Sequence, residues 1–317
     1  MRHFWQYIKW AVVCGVPSIV VARVFLKFAG LYYDYKRKEG DFRRLLQPDL
    51  KQLSNNQFNV NVNVNFNADH KVLRRRLCIG FRGAGNFAYY YLGAAEAIVK
   101  QLSRETLEEA QFEGASSGAL FATLLACGLD PCDAGHKFEA MLAQHKAQHW
   151  PCFCPIYPWG ACCFGSDARC RTAILPQFFA SMLTDEMVRK ASGRLKVVAF
   201  DCLSFMPASN NQWRSVQHLT EWVLASMAIP GMTGWPRWID GKLLMDAFNM
   251  DVWLWRKDPN FKRINISVFD NSSTISPSAI QLPLFTALTQ LPDVSQQYLK
   301  QLGLIDTLSY LSQRSYC

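Results

Sequence analysis

The five residues Gly114-Ala115-Ser116-Ser117-Gly118 restrict the fold of this 317-residue chain more than any other stretch. A strand-like segment beginning at Phe112 leads into them, and the apolar run Ala119-Leu120-Phe121-Ala122-Thr123-Leu124-Leu125 follows with the character of a helix. Between a strand and a helix, G-x-S-x-G is the pattern of a nucleophile elbow, where flanking glycines admit strained backbone and close packing. Ser116 is the residue such a turn leaves exposed above a sheet; Ser117 is not. The N-terminus of the following helix then faces any negative charge developing on a carbonyl that the serine attacks. Taken alone, the pentapeptide reads equally as a Gly/Ser turn with a helix cap. The strand before it and the helix after it favour the elbow.

An elbow requires a sheet, and the surrounding sequence supplies one. Leu77 to Phe81 reads as a short buried strand, and Phe87 to Leu102 has helical spacing with Gly93 tolerated inside it. A second strand-turn-helix unit runs from Phe112 to about Cys127, and residues 195–200 and 263–269 look like further buried strands. Strands alternating with helices predict an α/β fold with a mostly parallel central sheet and helices on both faces. Sites in such folds lie at the carboxyl ends of the strands.

Two other segments carry candidate chemistry. Gly83-Ala84-Gly85 lies in a glycine turn opening a helix, where backbone N–H groups can hold an anion. The dinucleotide pattern G-x-G-x-x-G fails because position 88 is Ala, and the P-loop Lys-Ser/Thr is absent. With a serine elbow downstream, an oxyanion hole at Gly83, Ala84 and Gly85 is the simpler reading. The serine also needs a base. His3, His70, His136, His145, His149 and His218 lie in no recognisable strand-end loop, so a Ser-His-Asp arrangement is left open but not announced. Asp240-Gly241 follows the Pro- and Trp-rich stretch 230–238 and offers a carboxylate. An aspartate near its reference pKa of about 4 is a feeble base. In a dry pocket that value rises, and direct hydrogen bonding can replace a histidine. The competing reading of Asp240-Gly241 is an ordinary turn.

Together these pieces resemble a known family. FRGAGNFAYYYLGAAEAI is similar to the oxyanion block of patatin-like phospholipases, especially the animal type related to adipose triglyceride lipase and adiponutrin. GASSGAL resembles their nucleophile block, and ASMAIPGM followed by Asp240-Gly241 resembles their acid block, over about residues 77–250. The resemblance implies a three-layer α/β/α patatin-like fold and a Ser116/Asp240 pair working without histidine. It also implies hydrolysis of acyl esters in phospholipids or acylglycerols with no metal or other cofactor, the aromatic residues furnishing an acyl pocket. The chain departs from the family pattern at Lys242, a cation expected to depress the pKa of Asp240, and at Ala84, Phe87 and Ala88 in the oxyanion block. A scaffold that binds lipid or regulates without turnover is therefore the alternative reading, and acyl transfer to an alcohol is a third.

Charge distribution bears on partners. Residues 1–76 hold 14 Lys/Arg against 5 Asp/Glu, whereas residues 77–317 hold 20 of each, so the net +9 belongs to the N-terminal region. A neutral globular part argues against nucleic acid. A basic segment beside the apolar stretch Trp10 to Ala22 suits a membrane or lipid-droplet surface. From Phe4 to Phe28 that stretch approaches the roughly 20 apolar residues a bilayer requires. It reads as a spanning anchor, a helix in the interface or a cleaved signal; if it spans, Lys36, Arg37, Lys38, Arg43 and Arg44 keep the catalytic domain facing the cytosol. The expected organisation is a hydrophobic segment at 1–35, a basic and Asn-rich linker at 36–76, a catalytic domain at 77–270 and a helical extension at 271–317. Cys152, Cys154, Cys162, Cys163 and Cys170 lack zinc-site spacing and read as reduced thiols, and 150–163 reads as a lid, a membrane-touching loop or a packed loop.

Overall fold

Strand β1 (Arg76–Phe81) buries five consecutive residues, Leu77 to Phe81. Successive side chains of a strand point to opposite faces, so both faces of β1 are covered. The computed structural model describes residues 76–149, 162–230, 233–247, 261–279 and 293–313, with Leu282, Ala287 and Leu291. All of them belong to one of two compact units, 62–282 with 287–317. The expected hydrophobic segment at 1–35, almost all of the linker at 36–76 and the stretch 150–161 lie outside the described residues. Among the described residues, no helix is long and apolar enough to cross a membrane.

Beside β1 run β2 (Gln111–Ala115) and β7 (Phe261–Ile266), both parallel to it, and β3 (Leu195–Asp201) runs parallel to β2. The rest of the sheet is antiparallel: β4 (Met206–Asn210) and β6 (Lys242–Met245) pair with β3, and β5 (Arg237–Ile239) pairs with β6. The sheet is mixed rather than mostly parallel, with three parallel and three antiparallel pairings. The cause is the length of β3. It pairs with β2 only through Val198 and continues to Asp201, exposing backbone that needs another partner.

That overhang sets the site. At Val197 and Val198 strand β3 pairs with both β2 and β4, and at Phe200 and Asp201 with both β4 and β6. Since a strand has two edges, β2 and β6 share one of them and meet end to end. Strand β2 arrives with Ala115 and β6, running the other way, with Met245. The residues that follow each, Ser116 and Asp246, are thereby driven together. Ala115, Val198 and Ala247 pack as one small apolar cluster at the junction.

Eight helices accompany the sheet among the described residues: α1 (Ala88–Gln101), α2 (Arg104–Glu109), α3 (Ser117–Ala126), α4 (Pro131–His149), α5 (Cys162–Met182), α6 (Asp185–Ala191), α7 (Val216–Ser226) and α8 (Asp293–Ser312). Phe81, Tyr91 and Phe121 interlock β1, α1 and α3, with ring centroids 5.4 to 6.2 Å apart. Such aromatic contacts add to the burial of their area. Gly93 has a packing role rather than being merely tolerated. A Cβ there would sit 1.9 Å from the Lys300 carbonyl oxygen of α8, and one on Gly303 would sit 2.0 Å from that of Tyr90. Helices α1 and α8 therefore touch backbone to backbone. The Tyr90 hydroxyl donates to Asp306 at 2.9 Å, and Lys300 pairs with Glu96 at 3.1 Å across the same joint.

Candidate functional site

Ser116 sits at the end of β2 with φ 53° and ψ −133°, a conformation that L-residues adopt only under strain of roughly 1–3 kcal/mol. The flanking glycines make the turn possible. A Cβ on Gly114 would come within 2.5 Å of Ala119 Cα, and one on Gly118 within 2.3 Å of the Phe81 carbonyl oxygen. The Ser116 N–H donates to Ser226 Oγ at 2.8 Å, and the Ser226 hydroxyl in turn donates to the Val198 carbonyl at 2.5 Å. Ser226, wholly buried at the end of α7, thus ties the elbow to β3.

The Ser116 hydroxyl donates to Asp246 Oδ2 at 2.7 Å. Both residues are buried, and the Asp246 N–H is fixed by the Ala228 carbonyl at 3.0 Å. The aspartate facing Ser116 is therefore Asp246, whereas the sequence reading paired the serine with Asp240. Asp240 occupies the outer tip of the β5–β6 hairpin. Asp240 and Gly241 both have positive φ, 50° and 73°, and join Ile239 to its partner Lys242. This is the two-residue hairpin turn for which Asp-Gly is a favoured sequence. The Asp240 carboxylate receives hydrogen bonds from Trp222 Nε1 at 2.9 Å and from Arg214, and lies 2.9 Å from His218 Nε2. Burial pushes this carboxyl up, but the bonds from His218 and Trp222 and the charges of His218 and Arg214 outweigh it and hold the group below the ordinary aspartate value. The depression expected from Lys242 thus has other causes. A carboxylate so held is a weaker base and is occupied away from the serine.

The glycine turn after β1 lies beside the elbow: a Cβ on Gly83 would stand 3.3 Å from Ser116 Cβ. Its three amides are not equivalent. Ala84 N–H donates to Ser117 Oγ at 3.0 Å, a bond that locks the turn to the start of α3 and engages one of the three expected donors. Gly85 has φ 55°, and a Cβ there would meet the Ala287 carbonyl oxygen at 2.4 Å. Arg82 leaves the block sideways to pair with Asp270 at 2.5 Å.

Ser116, Asp246 and Gly85 open onto a cleft of about 960 Å³, solvent at its mouth included. Its walls are mainly apolar, formed by Leu92, Leu120, Phe121, Leu124, Phe138, Leu175, Phe178, Met227 and Ile229. Tyr89, Glu139 and Arg171 add a polar patch. Sequence reasoning missed Asp246, Ser226 and this patch. The signal for Asp246 was the apolar strand Leu243-Leu244-Met245 ending on an acid, and no local pattern marked the others.

Residues 80–247 match the patatin-like phospholipase family. Omega-hydroxyceramide transacylase of Mus musculus is 27% identical over 173 residues, spanning 51% of this chain and 26% of that protein. Among solved structures, VipD of Legionella pneumophila is 12% identical with a TM-score of 0.44, over 75% of this chain and 67% of that one. The ExoU–SpcU complex of Pseudomonas aeruginosa is 12% identical with a TM-score of 0.41, over 75% and 52%.

Proposed function

The chain belongs to the patatin-like phospholipase family, and from that premise we propose that it cleaves fatty-acyl esters of membrane or lipid-droplet lipids, with Ser116 as nucleophile and Asp246 as its base. The observation that carries this reading is the 2.7 Å hydrogen bond from Ser116 Oγ to Asp246, made at a strained elbow on the wall of an apolar cleft. As Ser116 Oγ attacks the ester carbonyl, its proton passes to Asp246 and negative charge gathers on the carbonyl oxygen. The amides of Gly83 and Gly85 and the N-terminus of α3 are the candidates to hold that oxygen, since Ala84 serves Ser117. Collapse expels the alcohol, which takes the proton from Asp246. Water then attacks the acyl-enzyme, gives a proton to Asp246, and the fatty acid leaves as Ser116 regains its hydrogen. The residues require no metal for these steps.

A second reading has support from the mouse transacylase: a lipid hydroxyl in place of water accepts the acyl group from Ser116. The chemistry up to the acyl-enzyme is the same. Incubating the purified chain with radiolabelled phospholipid and acylglycerol micelles, with and without added lipid alcohol, tests both. Release of free fatty acid that disappears in Ser116→Ala supports hydrolysis, and label appearing in a new ester supports transfer. Neither product under conditions where a control lipase works would overturn the reading in favour of a lipid-binding scaffold.

A further inference from the structure

Seven large apolar side chains are exposed among the described residues, and five of them, Leu203, Phe205, Met206, Trp235 and Trp238, lie on or next to two neighbouring hairpins. One hairpin joins β3 to β4 and the other joins β5 to β6. The Cys202 N–H donates to the Leu243 carbonyl at 2.8 Å, which continues the pairing of β3 with β6 past Asp201 and holds the two tips side by side. Asp201 is three residues past Val198, the residue level with Ala115 at the elbow. At about 3.3 Å per residue the tips stand roughly 10 Å beyond Ser116, on the side of the carboxyl ends of the parallel strands. Thr233 lines the cleft, and Trp235 follows it by two residues on the way into β5.

The β3–β4 turn closes without help from its apolar side chains. The buried Asp201 carboxylate accepts from the Leu203 N–H at 3.0 Å and from the Ser204 hydroxyl at 2.9 Å. Phe205 has φ 55°, a region that glycine or asparagine enters readily and a bulky residue rarely. Its ring meets that of Phe200 with centroids 6.3 Å apart, yet the residue stays exposed. A strained phenylalanine that gains so little burial within the chain points to a use outside it. In the second hairpin Trp238 stands opposite Leu243 and is 66% exposed. Cations flank these apolar groups: Lys242 adjoins Leu243, and the exposed Arg214 reaches the turn at Asp240.

We propose that the two hairpin tips are the surface by which this chain docks on a phospholipid bilayer, with Leu203, Phe205, Met206 and Trp238 entering the acyl boundary and Lys242 and Arg214 meeting the phosphates. Shape favours a bilayer over a protein partner. A stable protein interface covers roughly 800 Å² on each side with a complementary surface, whereas two protruding turns enter fluid lipid without one. Chemistry favours it too. Tryptophan, with an apolar body and one N–H, suits the headgroup level, and basic side chains beside apolar ones are drawn to anionic lipid. The proposal rests on the acyl-ester reading of the cleft and deepens it by naming the partner surface: the tips project from the end of the sheet that carries Ser116, so docking brings the nucleophile toward the lipid.

The test uses the full chain and vesicles of diether phosphatidylcholine and phosphatidylserine, which no esterase can cleave. Hydrogen exchange read by mass spectrometry should show the amides of residues 202–206 and 235–241 slowed when vesicles are added. Phe205→Asn, which suits the positive φ, and Trp238→Ser should each weaken vesicle partitioning about tenfold, the scale of one large apolar side chain withdrawn from lipid. Their Tm should stay within a few degrees of wild type. Val294→Ser, which removes an exposed apolar side chain from α8, should leave partitioning unchanged. Vesicle binding that leaves exchange at both tips untouched would overturn the proposal and place the contact elsewhere in the chain. Tips already protected without vesicles, and unaltered by them, would overturn it in favour of cover by the chain itself or by a second copy. Ester cleavage dependent on Ser116 with tips unaffected by vesicles would sink this surface alone. Tip protection and the two tenfold losses in a chain that never cleaves or transfers an ester would sink the catalytic reading and leave the surface standing.

Discussion

Asp240 and Asp246 stand at opposite ends of the four-residue strand β6 and meet different company. At the outer end, Asp240 faces the Arg214 guanidinium, the His218 imidazole and an indole N–H and is held below the ordinary aspartate value. At the inner end, Asp246 is buried where two strands collide and accepts a hydrogen bond from the Ser116 hydroxyl. One carboxylate closes a hairpin and the other faces the elbow serine. The difference teaches that an acid's chemistry in this fold is set by where its strand delivers it, and that a recognisable dipeptide such as Asp-Gly reports the turn. Helix α7 serves both ends, clamping Asp240 through His218 and Trp222 and bracing Ser116 through Ser226.

Exchanging the two acids for their amides gives the largest expected contrast. Asp246→Asn should lower the rate of ester cleavage by about 10²–10⁴-fold, the range typical of a lost general base, with little change in KM. Asp240→Asn should keep the rate within about tenfold of wild type, because its carboxylate is engaged by Arg214, His218 and Trp222 at the outer end of β6. Initial-rate measurements on one lipid substrate would check both. The opposite ranking would restore Asp240 as the base and break the comparison. Ser226→Ala comes next. It leaves the buried Ser116 N–H without its acceptor at a strained residue, at a cost of about 1–3 kcal/mol. Turnover should fall about tenfold with KM nearly unchanged. Labelling of Ser116 by a fluorophosphonate should slow in parallel, an effect that general destabilisation would not produce well below the Tm.

Much of this contrast could be read before the fold was known, and the part that could not has a physical reason. The elbow is legible because a turn this sharp is built from five consecutive residues, and glycine is required where Gly114 and Gly118 press on neighbouring backbone. The strands at Leu77 and Leu195 are legible because burial of a strand on both faces demands apolar runs, here Leu77 to Phe81 and Val197 to Ala199. Asp246 was not. Its position depends on β3 outlasting β2 and on β6 filling the vacant edge, a pairing between residues more than forty apart in sequence. Ser226 and Arg171 are likewise brought to the site by packing between helices, which leaves no local spacing to read. Asp240-Gly241 drew the assignment through its likeness to the family's acid block, and the hairpin instead bears out the competing reading of that dipeptide as a turn.

Smaller effects sharpen the comparison at its outer end. Asp240→Asn should reduce stability by about 1 kcal/mol at neutral pH, the usual worth of hydrogen bonds at a partly exposed site. Because the native value of Asp240 is depressed, that stabilisation is fully present above the ordinary carboxylate range and fades as pH falls through the lowered native value. Denaturant melts of wild type and variant should therefore differ above about pH 5 and converge in acid. A gap that persisted at low pH would mean that packing, rather than charge, accounts for the clamp. The smallest effect is expected at Lys242. Sequence reasoning made this residue the chief threat to catalysis, as a cation next to the supposed base. It lies at the start of β6, beside the turn, and Asp246 lies beyond the other end of that strand. Removing this half-buried charge at the outer end of β6 should alter stability by no more than about 1 kcal/mol. Lys242→Ala should likewise leave kcat within twofold. A large gain in rate from that single change would mean that the charge at the hairpin reaches the nucleophile after all, and that the two ends of β6 act as one electrostatic unit.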